Sequence, residues 1–90
     1  MKTITYPKIE AVKPLSGKKL LVRFVGGQRT VYDCGPLLKQ EPFSALQNDS
    51  FFHRVKVDGG GYGVSWDDRI DLSESELWMN GSARDSKGWQ

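Results

Sequence analysis

The feature that most constrains the fold is a pair of glycines between two segments of alternating apolar and polar residues. The stretch KLLVRFVGGQRTVYDC alternates as half-buried β-strands do, and Gly26-Gly27 supplies the positive φ angles of a tight hairpin turn. A two-residue loop would place Val22 opposite Val31, whereas a three-residue loop with a bulge would place Val22 opposite Tyr32. We favour the longer loop because it gives the more apolar face. A shift of one residue would turn every side chain to the other face.

A second glycine-rich stretch, VDGGGYGVSW, predicts a second hairpin. Its glycines are residues 59–61 and residue 63. A phosphate-binding loop needs G-x-x-x-x-G-K-[ST] or G-x-G-x-x-G leading into a helix, and neither spacing fits these glycines. Val55 and Val57 alternate with polar residues before the run, and the strand-like GVSW follows it. The run therefore predicts a turn between two antiparallel strands rather than a nucleotide site.

Short helical segments are predicted after each hairpin. Pro36 and Pro42 each allow only a turn or two of helix, whose apolar side chains we expect to cover one face of the sheet. Ser73, three residues before Glu76, matches a capping box at the start of a further short helix. Gly81 is expected to end that helix in a left-handed conformation.

Together with a first strand near residues 9–12, these elements predict an α+β fold. We expect a small antiparallel sheet of about five short strands, in two hairpins, covered on one face by short helices. Residues 1–81 are predicted to form a single globular domain, since a 90-residue chain buries only one small core. Residues 82–90 are polar and without periodicity, and are predicted to form a disordered tail.

Charge is distributed unevenly along the chain, although the net charge is only +2. Residues 1–29 carry seven basic residues and one acidic residue, a net charge of +6, and residues 58–76 carry six acidic residues and one basic residue, a net charge of −5. The simpler interpretation is that the two halves offset each other on a shared surface. The alternative is a basic face for nucleic acid or an acidic partner. The candidate interaction residues are Lys13, Lys18, Lys19, Arg23, Arg29, Trp66 and Trp78.

Side chains that support catalysis are few. Cys34 is the single cysteine and His53 the single histidine, so a zinc site would need at least two carboxylates, which is uncommon. Cys34 is predicted to be a small buried apolar side chain. The acidic residues of segment 67–74 lack the spacing of a calcium loop and are expected to solvate turns and cap a helix. We therefore predict no catalytic residue, no metal and no cofactor, and a protein that is not an enzyme.

The order of the segments KLLVRFVGGQRTVYDCGPLL, PFSALQNDSFFHRVKVD and VSWDDRIDLSESELW resembles the small bacterial domain of unknown function 2442, from about Ile9 to Trp78. The chain departs from the family pattern at Gly26, at Asp68-Arg69 and at Trp78, in turns and on a helix face. The resemblance implies an α+β domain with a small antiparallel sheet. Other members carry this domain alone or fused to a helix-turn-helix, sometimes beside a gene for another short protein. The resemblance implies no established activity and hence no catalytic residue.

A non-catalytic protein-interaction module is the function that these observations favour, with one half of a toxin-antitoxin-like gene pair as its setting. The expected partner is a protein of unknown identity, and a homodimer formed through an open edge strand is a further possibility. The alternative function is a nucleic-acid-binding or transcription-regulatory accessory that uses the basic N-terminal third. We expect no membrane association and a cytoplasmic location, because the apolar runs are short and the N-terminus lacks a secretory signal.

Overall fold

The computed structural model describes residues 6–83 of the 90-residue chain. The strands in that range are β1 (Ile9–Leu15), β2 (Lys19–Phe24), β3 (Arg29–Asp33), β4 (Lys56–Val57), β5 (Gly63–Asp67), β6 (Ile70–Ser73) and β7 (Ser82–Ala83). The α-helices are α1 (Asp49–Phe52) and α2 (Glu74–Asn80), and 3-10 turns span Gly35–Leu37, Phe43–Gln47 and Gly59–Gly61.

The strands form two antiparallel sheets rather than one. Sheet 1 has the order β1-β2-β3-β7, and sheet 2 has the order β4-β5-β6. The predicted α+β class with small antiparallel sheets is confirmed, whereas the prediction of about five strands in one sheet is wrong. Strand β6 is not predicted by the sequence; in it Ile70 and Leu72 are buried and Asp71 and Ser73 are exposed. Two apolar residues in a four-residue strand are too few to establish a period of two.

The first hairpin has the predicted buried face but a different register. Phe24 donates its N–H to the carbonyl oxygen of Gln28 at 2.8 Å, so the loop has the favoured three residues but starts one residue earlier than predicted. Val22 lies opposite Thr30, two residues away from the predicted partner Tyr32. A displacement of two residues preserves the alternation of side chains, and for that reason the buried face is unchanged.

The glycine run joins β4 to β5, as predicted, and also brings the two sheets into contact. Residues 59–61 form a turn in which the Gly61 N–H donates to the carbonyl oxygen of Asp58 at 2.9 Å. Gly61 is buried and has a φ of +76°. A Cβ atom on Gly61 would lie 2.6 Å from the carbonyl oxygen of Ile9 and 2.9 Å from Cβ of Lys8. The lack of a side chain at Gly61 therefore lets the second hairpin pass directly against β1.

One apolar core is built from both sheets and the helical segments. Leu46 and Phe52 enter it from the connection between the hairpins, and Leu77 enters it from α2. Phe43 and Phe51 pack against it while remaining partly exposed, as expected of a helical cover. The buried apolar residues are Ile9, Leu20, Val22, Phe24, Tyr32, Cys34, Leu46, Phe52, Val64, Trp66, Ile70, Leu72 and Leu77.

The chain after α2 continues as a strand. Gly81 is extended, with φ −83° and ψ 153°, rather than left-handed as predicted. A Cβ atom on Gly81 would lie 2.5 Å from the carbonyl oxygen of Leu77, so close packing is the reason for a glycine here. Ser82–Ala83, which were predicted to belong to a tail, pair with β3, because the edge of that strand offers backbone partners that composition does not reveal. The rest of the predicted tail, residues 84–90, lies outside the described residues.

We expect Gly61→Ala to lower the free energy of unfolding by about 2–4 kcal/mol, because the added methyl group would meet the backbone of Ile9 and would strain a positive φ. The measurement is equilibrium unfolding in urea. Gly59→Ala is the matched control, since a Cβ atom there would meet nothing within 4 Å and its φ is not positive. We expect the control to stay within about 1 kcal/mol of the parent protein. Equal losses for the two variants would contradict the close approach at Gly61.

Candidate interaction surface

One face of sheet 1 points away from the core. In an antiparallel pair, directly opposed residues share a face, and every second residue along each strand joins them. Lys13 opposes Leu21, and Leu21 opposes Val31, on the side of the sheet away from the buried Val22. We call this surface the outer face; its members are Ala11, Lys13, Leu15, Lys19, Leu21, Arg23, Arg29, Val31 and Asp33.

Leu21 occupies the centre of the outer face. Its neighbours on the adjoining strands are Lys13 and Val31, with Cβ atoms about 5 Å away, and its neighbours along β2 are Lys19 and Arg23, about 7 Å away. Leu21 and Val31 are half-buried without belonging to the core. The three basic side chains are exposed, so no element within residues 6–83 covers this area. The outer face therefore has an aliphatic centre bordered by cations.

The charges of the outer face are balanced only in part. Arg23 Nε lies 3.4 Å from Oε1 of Glu10, which sits at a bulge in β1, and both side chains are about half exposed. Such a surface ion pair contributes at most about 1 kcal/mol. Asp33 accepts a backbone N–H from the following turn at 2.8 Å. Lys13 and Lys19 form no ion pair within the part of the chain that the structure describes. These two lysines are therefore available to a partner.

Lys18, the remaining basic residue predicted for the surface, does not join the outer face. It lies in the turn between β1 and β2 with a φ of 60°. Its Nζ donates to the carbonyl oxygen of Gln47 at 3.1 Å, pairs with the carboxylate of Asp49 and lies 5.3 Å from the ring centroid of Phe52. The hydrogen bond from Lys18, and then its charge, hold the pKa of Asp49 below its ordinary value. Lys18 therefore links the turn between β1 and β2 to α1.

The two tryptophans predicted for the surface lie on the core side of the fold. Trp66 is buried, donates its indole N–H to the carbonyl oxygen of Phe52 at 2.9 Å and stacks on the Phe52 ring with centroids 6.1 Å apart. Trp78 is half-buried and packs edge-on against Phe24 at a centroid distance of 5.0 Å. Strand β5 is central in sheet 2, and the uncharged run GVSW is the sequence signal for a strand buried on both sides.

Sequence reasoning also missed the aliphatic members of the outer face. Leu15, Leu21 and Val31 are all partly exposed, although they are apolar residues within strands. Their signal was present in the same alternation that predicted the buried face, because the residues between the buried positions must point the opposite way. These three residues can be recognised because they are apolar at strand positions that face away from the core, where polar residues are usual.

Asp67 and Glu76, two of the acidic residues of segment 58–76, accept hydrogen bonds within the fold. Asp67 Oδ1 accepts two backbone N–H groups of the turn between β5 and β6, at 2.9 and 3.0 Å. Ser73 Oγ accepts the N–H of Glu76 at 3.2 Å, which confirms the predicted helix cap. The Glu76 carboxylate accepts the hydroxyl of Tyr32 at 2.7 Å and so links α2 to β3. Asp67 therefore stabilises a turn, as predicted, whereas the Glu76 carboxylate binds Tyr32 and does not complete the predicted capping box.

The two oppositely charged halves of the chain meet near the start of β1. Lys8 Nζ lies 3.6 Å from Glu74 Oε2 and 4.4 Å from the ring centroid of Tyr62. The interpretation that the two halves offset each other on a shared surface holds at this contact. It does not extend to Lys13 and Lys19 on the outer face, which have no acidic partner from segment 58–76 among the described residues.

The thiol of Cys34 is held in an unreactive arrangement. Cys34 is buried, as predicted, and burial together with the nearby charge of Asp33 raises the pKa of its thiol to about 12. The thiol is therefore protonated at neutral pH. His53 Nδ1 lies 2.8 Å from the carbonyl oxygen of Asp49. Within residues 6–83 no three His, Cys, Asp or Glu side chains group together as a metal site requires, and no helix there is long and apolar enough to cross a membrane.

Comparison with known proteins identifies the family. The sequence model of one family, described as a protein of unknown function, DUF2442, matches residues 9–83. This chain belongs to the DUF2442 family. The resemblance seen in the sequence is thereby confirmed. A search of the curated proteins finds no match for this DUF2442 chain.

A solved structure shares the fold. The crystal structure of "Putative DNA Binding Protein NE0471" from Nitrosomonas europaea ATCC 19718 is 26% identical to this DUF2442 chain, with a TM-score of 0.64. The match covers 76% of this chain and 44% of that chain. This chain therefore corresponds to less than half the length of that protein.

We expect Lys18→Met to raise the pKa of Asp49 toward its ordinary value, because the variant removes the ammonium group that stabilises the carboxylate. Because Lys18 lowers the pKa of Asp49, the Lys18–Asp49 ion pair makes its full contribution to stability above the ordinary carboxyl pKa. That contribution is lost as the pH falls through the lowered pKa of Asp49. An NMR titration of the side-chain carboxyl carbon measures this shift. Lys19→Met is the control, because Lys19 points to the outer face. A similar rise in both variants would contradict a direct contact.

Proposed function

We propose that this DUF2442 domain is a non-catalytic protein-interaction module that binds an acidic protein partner through its outer face. The observation that supports the proposal is an exposed sheet face with aliphatic residues, Leu21 and Val31, bordered by Lys13, Lys19 and Arg23. A sheet normally buries an apolar face against another layer of structure. Interfaces likewise combine an apolar centre with a polar rim, which is the arrangement of the outer face.

The size of the outer face indicates what kind of contact it suits. Three strands spaced about 4.8 Å apart, taken over about five residues, give an area of roughly 250 Å². A standard protein–protein interface buries about 800 Å² on each partner. The outer face therefore suits a short segment of a partner and a reversible contact. A larger complex would have to use further surface on this domain.

The proposal includes no catalysis, metal or cofactor. It is supported by the protonated thiol of Cys34 and by the hydrogen bonds that Asp67 and Glu76 already accept within the fold. We include a cytoplasmic location, because an unpaired buried cysteine is typical of proteins from reducing compartments. The domain would act as one half of a two-gene pair, with the second gene encoding the acidic partner.

Nucleic-acid binding is the second candidate function. Two observations favour it: the four basic residues of the outer face, and the name of the similar protein NE0471, "Putative DNA Binding Protein". Two others favour a protein partner. Phe24 and Tyr32 of sheet 1 point inward, so the outer face has no aromatic residue from β1–β3 on which a base could stack. The match also leaves more than half of NE0471 without a counterpart in this chain.

We expect the double charge reversal Lys13→Glu/Lys19→Glu to lower recovery of a copurifying protein at least tenfold, because carboxylates at these positions would repel an acidic partner. The measurement is copurification from native lysate with quantitative mass spectrometry. Lys39→Glu/Lys56→Glu changes the net charge equally at exposed positions away from the outer face and should bind as the parent does. Recovery of no stoichiometric protein by the parent would contradict the proposal.

The same variants separate the two candidate functions. Fluorescent duplex DNA and single-stranded RNA are titrated with each protein at low ionic strength. A protein partner predicts no salt-dependent binding of either nucleic acid. If nucleic acid is the ligand, affinity falls with salt, and the outer-face variant lowers the slope of log affinity against log salt by about 2. That second result would replace the protein-interaction proposal with the nucleic-acid one.

A further inference from the structure

We infer that the segment bound by the outer face is an amphipathic helix of the partner, lying across β1, β2 and β3 with acidic residues beside its apolar stripe. The inference rests on the proposed function and adds the chemistry and shape of the partner. Three features carry it: the spacing of the aliphatic residues, the position of the cations and the lack of a suitable occupant among residues 6–83 of this chain.

The aliphatic residues of the outer face form an oblique line across the strands: Leu21 and Val31 oppose each other directly, whereas Lys13, not Leu15, opposes Leu21 on β1. Leu15 lies on β1, Leu21 on β2 and Val31 on β3. Leu15 lies two residues along β1 from the row of Leu21 and Val31, so about 12 Å separates Leu15 from Val31, close to the roughly 11 Å of two turns of an α-helix. A helix lying obliquely across the three strands would follow this diagonal. Apolar residues at positions i, i+4 and i+7 of that helix would then contact the three aliphatic residues in order.

The cations lie beside this line rather than on it. Lys13, Arg23 and Arg29 border one side of the line, and Lys19 borders the other. Carboxylates next to the apolar stripe of a helix would come within reach of these long side chains. Asp33 stands opposite Lys19 and disfavours further acidic groups at that corner. The acidic residues of the bound helix are therefore expected mainly on the side of Arg23.

Other occupants fit the outer face less well. Phosphate groups would use the cations but would leave Leu21 and Val31 exposed. A second copy of this chain would need a helix with a free apolar stripe. Among the described residues, α1 and α2 place Phe52 and Leu77 in their own core, so neither helix can offer these residues to a neighbour while the fold is intact. A helix from a different protein remains the occupant that uses both the aliphatic line and the cations.

The test uses synthetic peptides and the folded, isotope-labelled protein. The probe is a peptide of about 18 residues, long enough to be partly helical in water, with leucines in one stripe, glutamates beside the stripe and alanines elsewhere. The control peptide has the same composition with the stripe scrambled. We expect the helical peptide to shift the amide signals of Leu21 and Val31 saturably, and the scrambled peptide to bind at least tenfold more weakly.

Variants of the protein locate the contact. We expect Leu21→Gln to weaken binding of the helical peptide about tenfold, because the variant removes the apolar centre of the face. Val25→Gln is the matched control: Val25 is 58% exposed but lies in the hairpin loop, and the variant should bind as the parent does. Unchanged amide spectra away from the substitution establish that each variant is folded.

The outcomes distinguish this inference from the proposed function. Equal binding of the two peptides, or no binding of either while the native partner still depends on Lys13 and Lys19, would overturn the helix and leave the proposed function standing. Loss of both peptide binding and the native partner would overturn both. Sedimentation of the parent as a dimer that Leu21→Gln dissociates would make a second copy the occupant, and would also overturn the inference.

Discussion

The contact between the glycine turn and the first strand determines how the rest of this fold is arranged. Gly61 passes so close to the backbone of Ile9 that a Cβ atom would lie 2.6 Å from its carbonyl oxygen. The same stretch of chain is held by the N–H of Val25, which donates to the carbonyl oxygen of Lys8 at 2.8 Å. The bulge between Ile9 and Ala11 lets Ile9 turn into the core while the residues after it alternate normally. Sheet 2 and the helices therefore bury the inner face of sheet 1, and the outer face remains open.

The alternation of buried and exposed residues along β2 could be predicted from the sequence. Which residues of β3 lie opposite them could not. Leu20, Val22 and Phe24 are all buried, as their alternation indicates. Their partners depend on where the turn begins, and moving its start by one residue along the chain moves every cross-strand partner by two. Two glycines in a row permit more than one turn geometry, so the sequence leaves this choice to packing. Ile70 and Leu72 of β6 were missed for a different reason, because a short strand next to a helix cap carries too little pattern.

Charge in the sequence indicates which part of the chain is basic, but strand geometry decides where each cation points. Lys18 and Lys19 are adjacent, yet Lys18 lies in a turn and binds Asp49, whereas Lys19 lies in a strand and faces outward. Trp66 shows the same limit for aromatic residues. The sequence predicts a surface position for Trp66, whereas its place on the central strand of sheet 2 buries it. The direction in which each side chain points follows from the pairing of the strands, which composition does not show.

An open face with aliphatic residues is tolerable in water because long basic side chains lie beside them. Lys19 and Arg23 flank Leu21 along β2, and side chains of this type can lay their alkyl stems along apolar surface while their charged ends reach water. Full burial of an exposed leucine is favourable by about 1.5–3 kcal/mol, and less remains when the side chain is already half-buried. A partner helix thus gains little from any one aliphatic contact. On the proposed function, the cations would then decide which helix binds, and selectivity for acidic partners, rather than strength, would be the main property of the outer face.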